Sequence, residues 1–126
     1  MNLQEHLIRQ MEFSASTFGP GERTKGVVDH ISKELKEIVA ETQPELRAAE
    51  WVDAVILSLN GLCRALATAY PSMTHAEIAR KACEFIEDKQ TRNEGRKWPD
   101  WRTIGSDRAI EHDRTGELPV AHRVSA

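Results

Sequence analysis

The chain has 126 residues, enough for one domain that buries a core without disulfide or metal staples. Its 17 Lys and Arg against 20 Asp and Glu give a net charge of −3, without the basic excess that nonspecific nucleic-acid binding needs. Apolar residues at 40% and charged residues at 29% are the proportions of a globular chain, which excludes intrinsic disorder and a coiled-coil rod.

The opening "MNLQEHLIRQ" carries charges within its first turns and no long apolar run, so it does not read as a signal peptide. A first helix is expected over about residues 2–16, with Leu3, Leu7 and Met11 on one side, ending before "FGPG" where Gly19, Pro20 and Gly21 force a turn. A second helix is expected from Thr24–Val27 to about Glu41. Its expected core stripe is Val28, Ile31, Leu35, Ile38 and Val39, spaced by three and four. "ETQPE" breaks the chain, and Pro44 suits the first turn of a third helix. That helix carries Val52, Val55, Ile56, Leu59, Leu62, Cys63 and Leu66 and stops near Tyr70 and Pro71. Its apolar segment, around "AVILSLNGLC", reads as too short and too interrupted to cross a bilayer, so no membrane partner is expected. Thr74 and Glu77 form a capping box that opens a fourth helix through about Asn93. "KWPDWRTIGSDRAIEHDR" is turn-rich, with Trp98 and Trp101 expected to pack back on the body.

Strand-like alternation is essentially absent. The fold class is therefore all-α, a four-helix bundle, with residues 1–114 as the domain and 115–126 as a loose tail. Cys63 and Cys83 lie in helical apolar patterns without a partner at metal spacing, and read as reduced thiols in a cytoplasmic protein.

The short link between the second and third helices makes them antiparallel neighbours. On the second, His30, Glu34, Glu37 and Glu41 share one stripe. On the third, Glu50 and Asp53 are continued by Leu57 and Asn60. Two pairs, E-x-x-E and E-x-x-D, can then face each other. Charged helix faces are common and usually solvated, which is the plain reading of either pair alone. Both pairs on adjacent helices, one beside Trp51 in an apolar run, point instead to a site where cations offset the repulsion. Hard carboxylate oxygens suit Mg²⁺ or Mn²⁺. A di-iron bundle would need E-x-x-H, and none of the five histidines has a Glu three residues before it.

"KELKEI" followed by "EWVDAVI" resembles the signature of the MazG-like all-α nucleoside triphosphate pyrophosphohydrolases. "TFGPGERTKGVVDHI" and "KQTRNEGRKWPDWR" are similar to the branch that acts on dATP and dGTP, so the resemblance covers about residues 10–112. It implies hydrolysis of a deoxynucleoside triphosphate to the monophosphate and pyrophosphate. It implies metal binding by Glu34, Glu37, Glu50 and Asp53, and nucleotide or phosphate contact by Lys89, Asn93 and Arg96. It also implies a homo-oligomer, a dimer or a dimer of dimers. Phage-encoded, MazZ-like relatives that supply dGMP for 2-aminoadenine nucleotides make dGTP the first choice and dATP the second, in a bacterial or phage-infected cell.

A triphosphate beside four carboxylates needs two or three Mg²⁺ for charge balance, ions that would clamp phosphate oxygens and activate a water for attack on the α-phosphorus. Glu37 is expected to orient that water as the catalytic base, although sequence does not separate it from Glu34. Arg23 and Lys25 stand where the macrodipole of the second helix disfavours cations by a few tenths of a kcal/mol, roughly, unless they face an anion. His30 is open between a donor to the carboxylates and an ordinary helix histidine. Asn60 is open between a substrate amide and a local backbone contact. Phe18 and Trp98 are open between stacking on a purine and core packing. The rival reading is a catalytically silent helical module for oligomerisation or protein binding, which four mutually repelling carboxylates disfavour.

Overall fold

A computed structural model describes residues 1–115. Among them are four α-helices, α1 (Leu3–Phe18), α2 (Thr24–Ala40), α3 (Pro44–Ala69) and α4 (His75–Glu94), and one 3-10 turn at Trp101–Thr103. The all-α, four-helix expectation holds. The tail expected from residue 115 falls, but for its first residue, outside the described residues. The chain divides into two compact units, Met1–Glu87 and the residues from Asp88 onward, with the division inside α4.

In the first unit each helix boundary has a local cause. Asn2 caps α1, its Oδ1 accepting from the Glu5 amide at 3.1 Å. Gly19 ends that helix at φ 87°, and Gly21 repeats the angle, so the "GPG" turn uses the left-handed region that side chains avoid. Pro44 opens α3 as expected. Arg47 donates Nε to the Glu41 carbonyl at 3.0 Å and Nη2 to the Thr42 carbonyl at 3.1 Å, which satisfies carbonyls at and after the end of α2. Thr74 and Glu77 make the reciprocal capping box, with the Glu77 amide donating to Thr74 Oγ1 and the Thr74 amide to Glu77 Oε1. These contacts from Thr74 hold the Glu77 carboxyl below its usual value.

The core of this unit is Leu7 from α1, Cys63 and Leu66 from α3, and Ile78, Ala79 and Ala82 from α4. Cys63 and Cys83 are both reduced; Cys63 is buried, and burial with the nearby Cys83 pushes its thiol up to about 11. Cys83 is half-buried and packs against the same core.

Two expectations need correction. The stripe read from the apolar periodicity of α2 turns inward only in part: Ile38 is buried and Ile31 half-buried, but Val28, Leu35 and Val39 are exposed, and Glu34 is buried in their place. On α3, Val52, Val55 and Ile56 are exposed in the same way. Apolar spacing marks a face that avoids water, and it does not distinguish packing within one chain from packing against another. Secondly, α3 is 26 residues long and, by length and composition alone, apolar enough to cross a membrane, which the shorter segment read from sequence was not. It carries Glu50 and Asp53 and packs against α1 and α2, features of a bundle helix; carboxylates within a bilayer are costly.

In the second unit the chain beyond α4 folds around local contacts. Trp98 donates its indole N–H to the Asn93 carbonyl at 2.7 Å and meets the His112 ring edge-on at 5.4 Å. The Asp113 amide donates to the Lys97 carbonyl at 2.8 Å. Trp98 and Trp101 remain 47% and 66% exposed.

Candidate metal centre

α2 and α3 are the most extensively packed pair, antiparallel across a three-residue link. Their register is visible at Gly61, where a Cβ would lie 3.5 Å from Val27 Cγ1. Counting back along α3 and forward along α2 brings Glu34 opposite Glu50 and Asp53. One carboxylate oxygen from each of the three lies within 4.8 Å of the others. Glu34 is only 9% exposed, and its Oε2 is buried without a hydrogen-bond partner among the described residues. Its Oε1 lies 3.7 Å from His30 Nε2, so His30 stands beside the cluster.

Glu50 reports the electrostatics. Its carboxyl is pushed from 4.5 up to about 7, first by a hydrogen bond with Glu37, then by burial, a hydrogen bond with Glu34 and the charges of both. A proton kept on Glu50 lessens the repulsion among the neighbouring acids. Glu37 thus belongs to the same constellation through Glu50. A buried oxygen with no donor, three convergent carboxylates and a proton held near neutral pH together fit a hard divalent cation.

The sign of the pH effect follows. A folded-state value raised from 4.5 to about 7 means that the metal-free fold binds more protons than the unfolded chain between those limits. Its stability from this group is complete below about pH 4.5 and is lost as pH rises through about 7. A divalent cation competes with that proton. The rise in Tm on adding Mg²⁺ or Mn²⁺ is therefore expected to be small near pH 4.5 and to grow toward pH 7–8. Thermal unfolding with and without chelator measures it; a metal-induced rise that is largest in acid would contradict it.

The remaining sequence candidates divide by unit. In the first, Arg23 is the N-cap of α2 without a side-chain cap bond, and Lys25 lies in the first turn; both are exposed and line a surface depression with Glu22, Thr24 and Gly26. Asn60 bonds neither its own backbone nor its neighbours': its Oδ1 accepts from Ser14 Oγ at 2.9 Å and from Arg64 Nε at 3.1 Å. Phe18 is exposed, with its ring edge-on to Phe13 at 6.1 Å. In the second unit Arg96 Nη1 donates to Asn93 Oδ1 at 2.7 Å, and Trp98 holds the Asn93 carbonyl, so Asn93, Arg96 and Trp98 form one local group. Lys89 is exposed on α4, one helical turn before Asn93.

Arg64 and Ser14 were missed in the sequence. Arg64 is half-buried and ties three segments: Nη2 donates to Ser14 Oγ at 2.8 Å, Nη1 to the Gly21 carbonyl at 2.6 Å, and Nε to Asn60. The one available signal was an arginine standing alone in the apolar run "NGLCRALATAY".

An acidic cluster between two antiparallel helices of an all-α chain, with oxygens able to hold a divalent cation, is the feature that a metal-dependent enzyme of this fold class would use. Residues 7–116 match the family model described as dATP/dGTP pyrophosphohydrolase, and the chain belongs to that family. It is therefore an enzyme, and the family together with the acidic cluster supports metal-dependent nucleotide pyrophosphohydrolase activity. No curated protein and no solved structure matches the chain.

Proposed function

We propose that this enzyme converts a purine deoxynucleoside triphosphate, dGTP first and dATP second, to the monophosphate and pyrophosphate. The observation that carries the reading is the convergence of Glu34, Glu50 and Asp53, with a donorless buried oxygen on Glu34, inside a chain of this family. Glu34, Glu37, Glu50 and Asp53 would hold the cation, Mg²⁺ with Mn²⁺ as substitute, in two or three ions per site. When bound, such ions neutralise triphosphate charge and lower the pKa of a coordinated water.

The chain's own side chains divide the remaining work. Glu37 is exposed and close enough to Glu50 to raise its carboxyl, which suits a base that accepts a proton from the attacking water. His30, beside Glu34, orients that carboxylate. Arg23 and Lys25 are proposed to meet the phosphates at the start of α2, and Lys89, Asn93, Arg96 and Trp98 are proposed as further substrate-binding residues. Residues 1–114 are proposed as the catalytic domain. A place in the cytoplasm, in a bacterium or a phage-infected cell, and the supply of dGMP to 2-aminoadenine nucleotide synthesis are the biological setting we propose.

The enzyme is further proposed to work as a homo-oligomer, a dimer or a dimer of dimers. The exposed apolar residues Leu35 and Val39 on α2 and Trp51, Val52, Val55 and Ile56 on α3 support this, because so many large apolar side chains on two adjacent helices are rarely left to water. Sedimentation is expected to find a dimer or larger, and Val55→Asp to shift it toward monomer; a wild-type monomer at assay concentration contradicts the proposal. The substrate reading is tested with a panel of all dNTPs and NTPs with Mg²⁺. Turnover highest for dGTP or dATP supports it, and turnover highest for a pyrimidine or a ribonucleotide overturns it.

A further inference from the structure

A cavity of about 340 Å³ lies in the first unit, between α1, α3, the start of α4 and the Gly19–Gly21 turn. Met11, Ala15, Cys63, Met73 and Ile78 give it apolar walls, and Asn60 and Arg64 stand on one side. Its size is at the small end for ligand pockets, suited to a flat ring system rather than to a whole triphosphate. Thioether walls favour such a ring, since methionine sulfur packs well on aromatic faces.

Its position along α3 ties it to the metal centre. Glu50, Asp53, Leu57, Asn60 and Arg64 follow one another at spacings of three and four, on one face of one helix. Seven residues separate Asp53 from Asn60, about 10 Å at 1.5 Å per residue, roughly two helical turns. A nucleotide whose α-phosphate lies at the carboxylates would carry its base toward this cavity.

The hydrogen bonds fix what the polar side of the cavity offers. Arginine only donates, so the Asn60 atom facing Arg64 Nε must be the oxygen, and the same oxygen takes the Ser14 hydroxyl proton. The Asn60 amide nitrogen is thereby turned away from them, and both hydrogen bonds of this side chain are made by its oxygen. Arg64 is locked by Ser14 and the Gly21 carbonyl, so its positive charge stays at the wall. This side therefore presents the Asn60 amide N–H as a donor, beside a fixed cation. Guanine shows two acceptors, O6 and N7, along one edge, whereas adenine places the N6 donor beside N7.

We propose that this cavity receives the base of the nucleotide and that Asn60, backed by Arg64 and Ser14, selects a purine bearing a 6-keto group. The proposal rests on the pyrophosphohydrolase reading above and deepens it.

The test has a binding arm and a kinetic arm. Met1, Met11 and Met73 are the three methionines, so methyl-labelled protein gives three resonances, of which only Met11 and Met73 belong to the cavity. With chelator present, dGMP is expected to shift Met11 and Met73 but not Met1, at lower concentration than dAMP. Inorganic phosphate should shift neither; a phosphate titration that reproduces the dGMP shifts makes this an anion site and overturns the proposal, as does the absence of any dGMP shift. In the kinetic arm, Asn60→Asp replaces a donor by an acceptor and is expected to lower the ratio of kcat/KM for dGTP over dATP by about tenfold or more. An unchanged ratio overturns the base pocket and leaves the pyrophosphohydrolase reading standing. Absence of hydrolysis of any dNTP by the wild type overturns that reading, while the methyl shifts still decide whether the cavity binds a 6-keto purine.

Discussion

Glu37→Gln is expected to retain nucleotide and metal binding while turnover falls by about 10²- to 10⁴-fold, the usual worth of a general base. Glu37 is exposed on α2 beside Glu50, whose carboxyl it raises, while Glu34, Glu50 and Asp53 supply the convergent oxygens. Removing its charge therefore leaves three carboxylates for the cation and takes away the group best placed to accept a proton. The glutamine amide keeps the size and one acceptor, so packing between α2 and α3 should survive. Titration of a slowly hydrolysed dGTP analogue, alongside single-turnover kinetics, separates the two effects. Undiminished turnover would remove Glu37 from the mechanism; lost binding with normal kcat would make it a plain ligand.

Glu50→Gln should have the opposite signature, a gain in stability joined to a loss of function. Glu50 is the acid whose proton is held up to about 7 by Glu37, burial and Glu34, so at neutral pH the metal-free fold carries the strain of ionising it. Glutamine cannot ionise. The metal-free variant is expected to melt above the wild type at pH 8 and with it near pH 4.5, where the wild-type carboxyl is already protonated. It should also lose most of the Tm rise on adding Mg²⁺ or Mn²⁺, and metal-dependent turnover with it. A variant less stable than the wild type at pH 8 without metal would show that Glu50 serves packing rather than a cation.

The helices and the carboxylates could be read from sequence because both depend on local rules. Pro44 at the start of α3, the Thr74–Glu77 capping box and the paired acids three residues apart each act within one or two turns. What could not be read depends on distant contacts or on partners. Glu34 lies inside the stripe that α2 buries, but its charge placed it on the stripe beside. Leu35 and Val39 have core spacing and face outward, because periodicity records aversion to water and not the identity of the neighbour. The Ser14–Asn60–Arg64 group joins residues about fifty positions apart, and only the packing of α1 on α3 brings them together. Arg64 had no motif to mark it.

The claim at the centre is that the carboxylate cluster directs water to the α-phosphorus of a deoxynucleoside triphosphate. The most direct measurement is hydrolysis of dGTP with Mg²⁺ in ¹⁸O-labelled water, followed by mass analysis of both products. The label is expected in dGMP, with unlabelled pyrophosphate released and no reaction in chelator. Label in pyrophosphate, or release of orthophosphate, would contradict it.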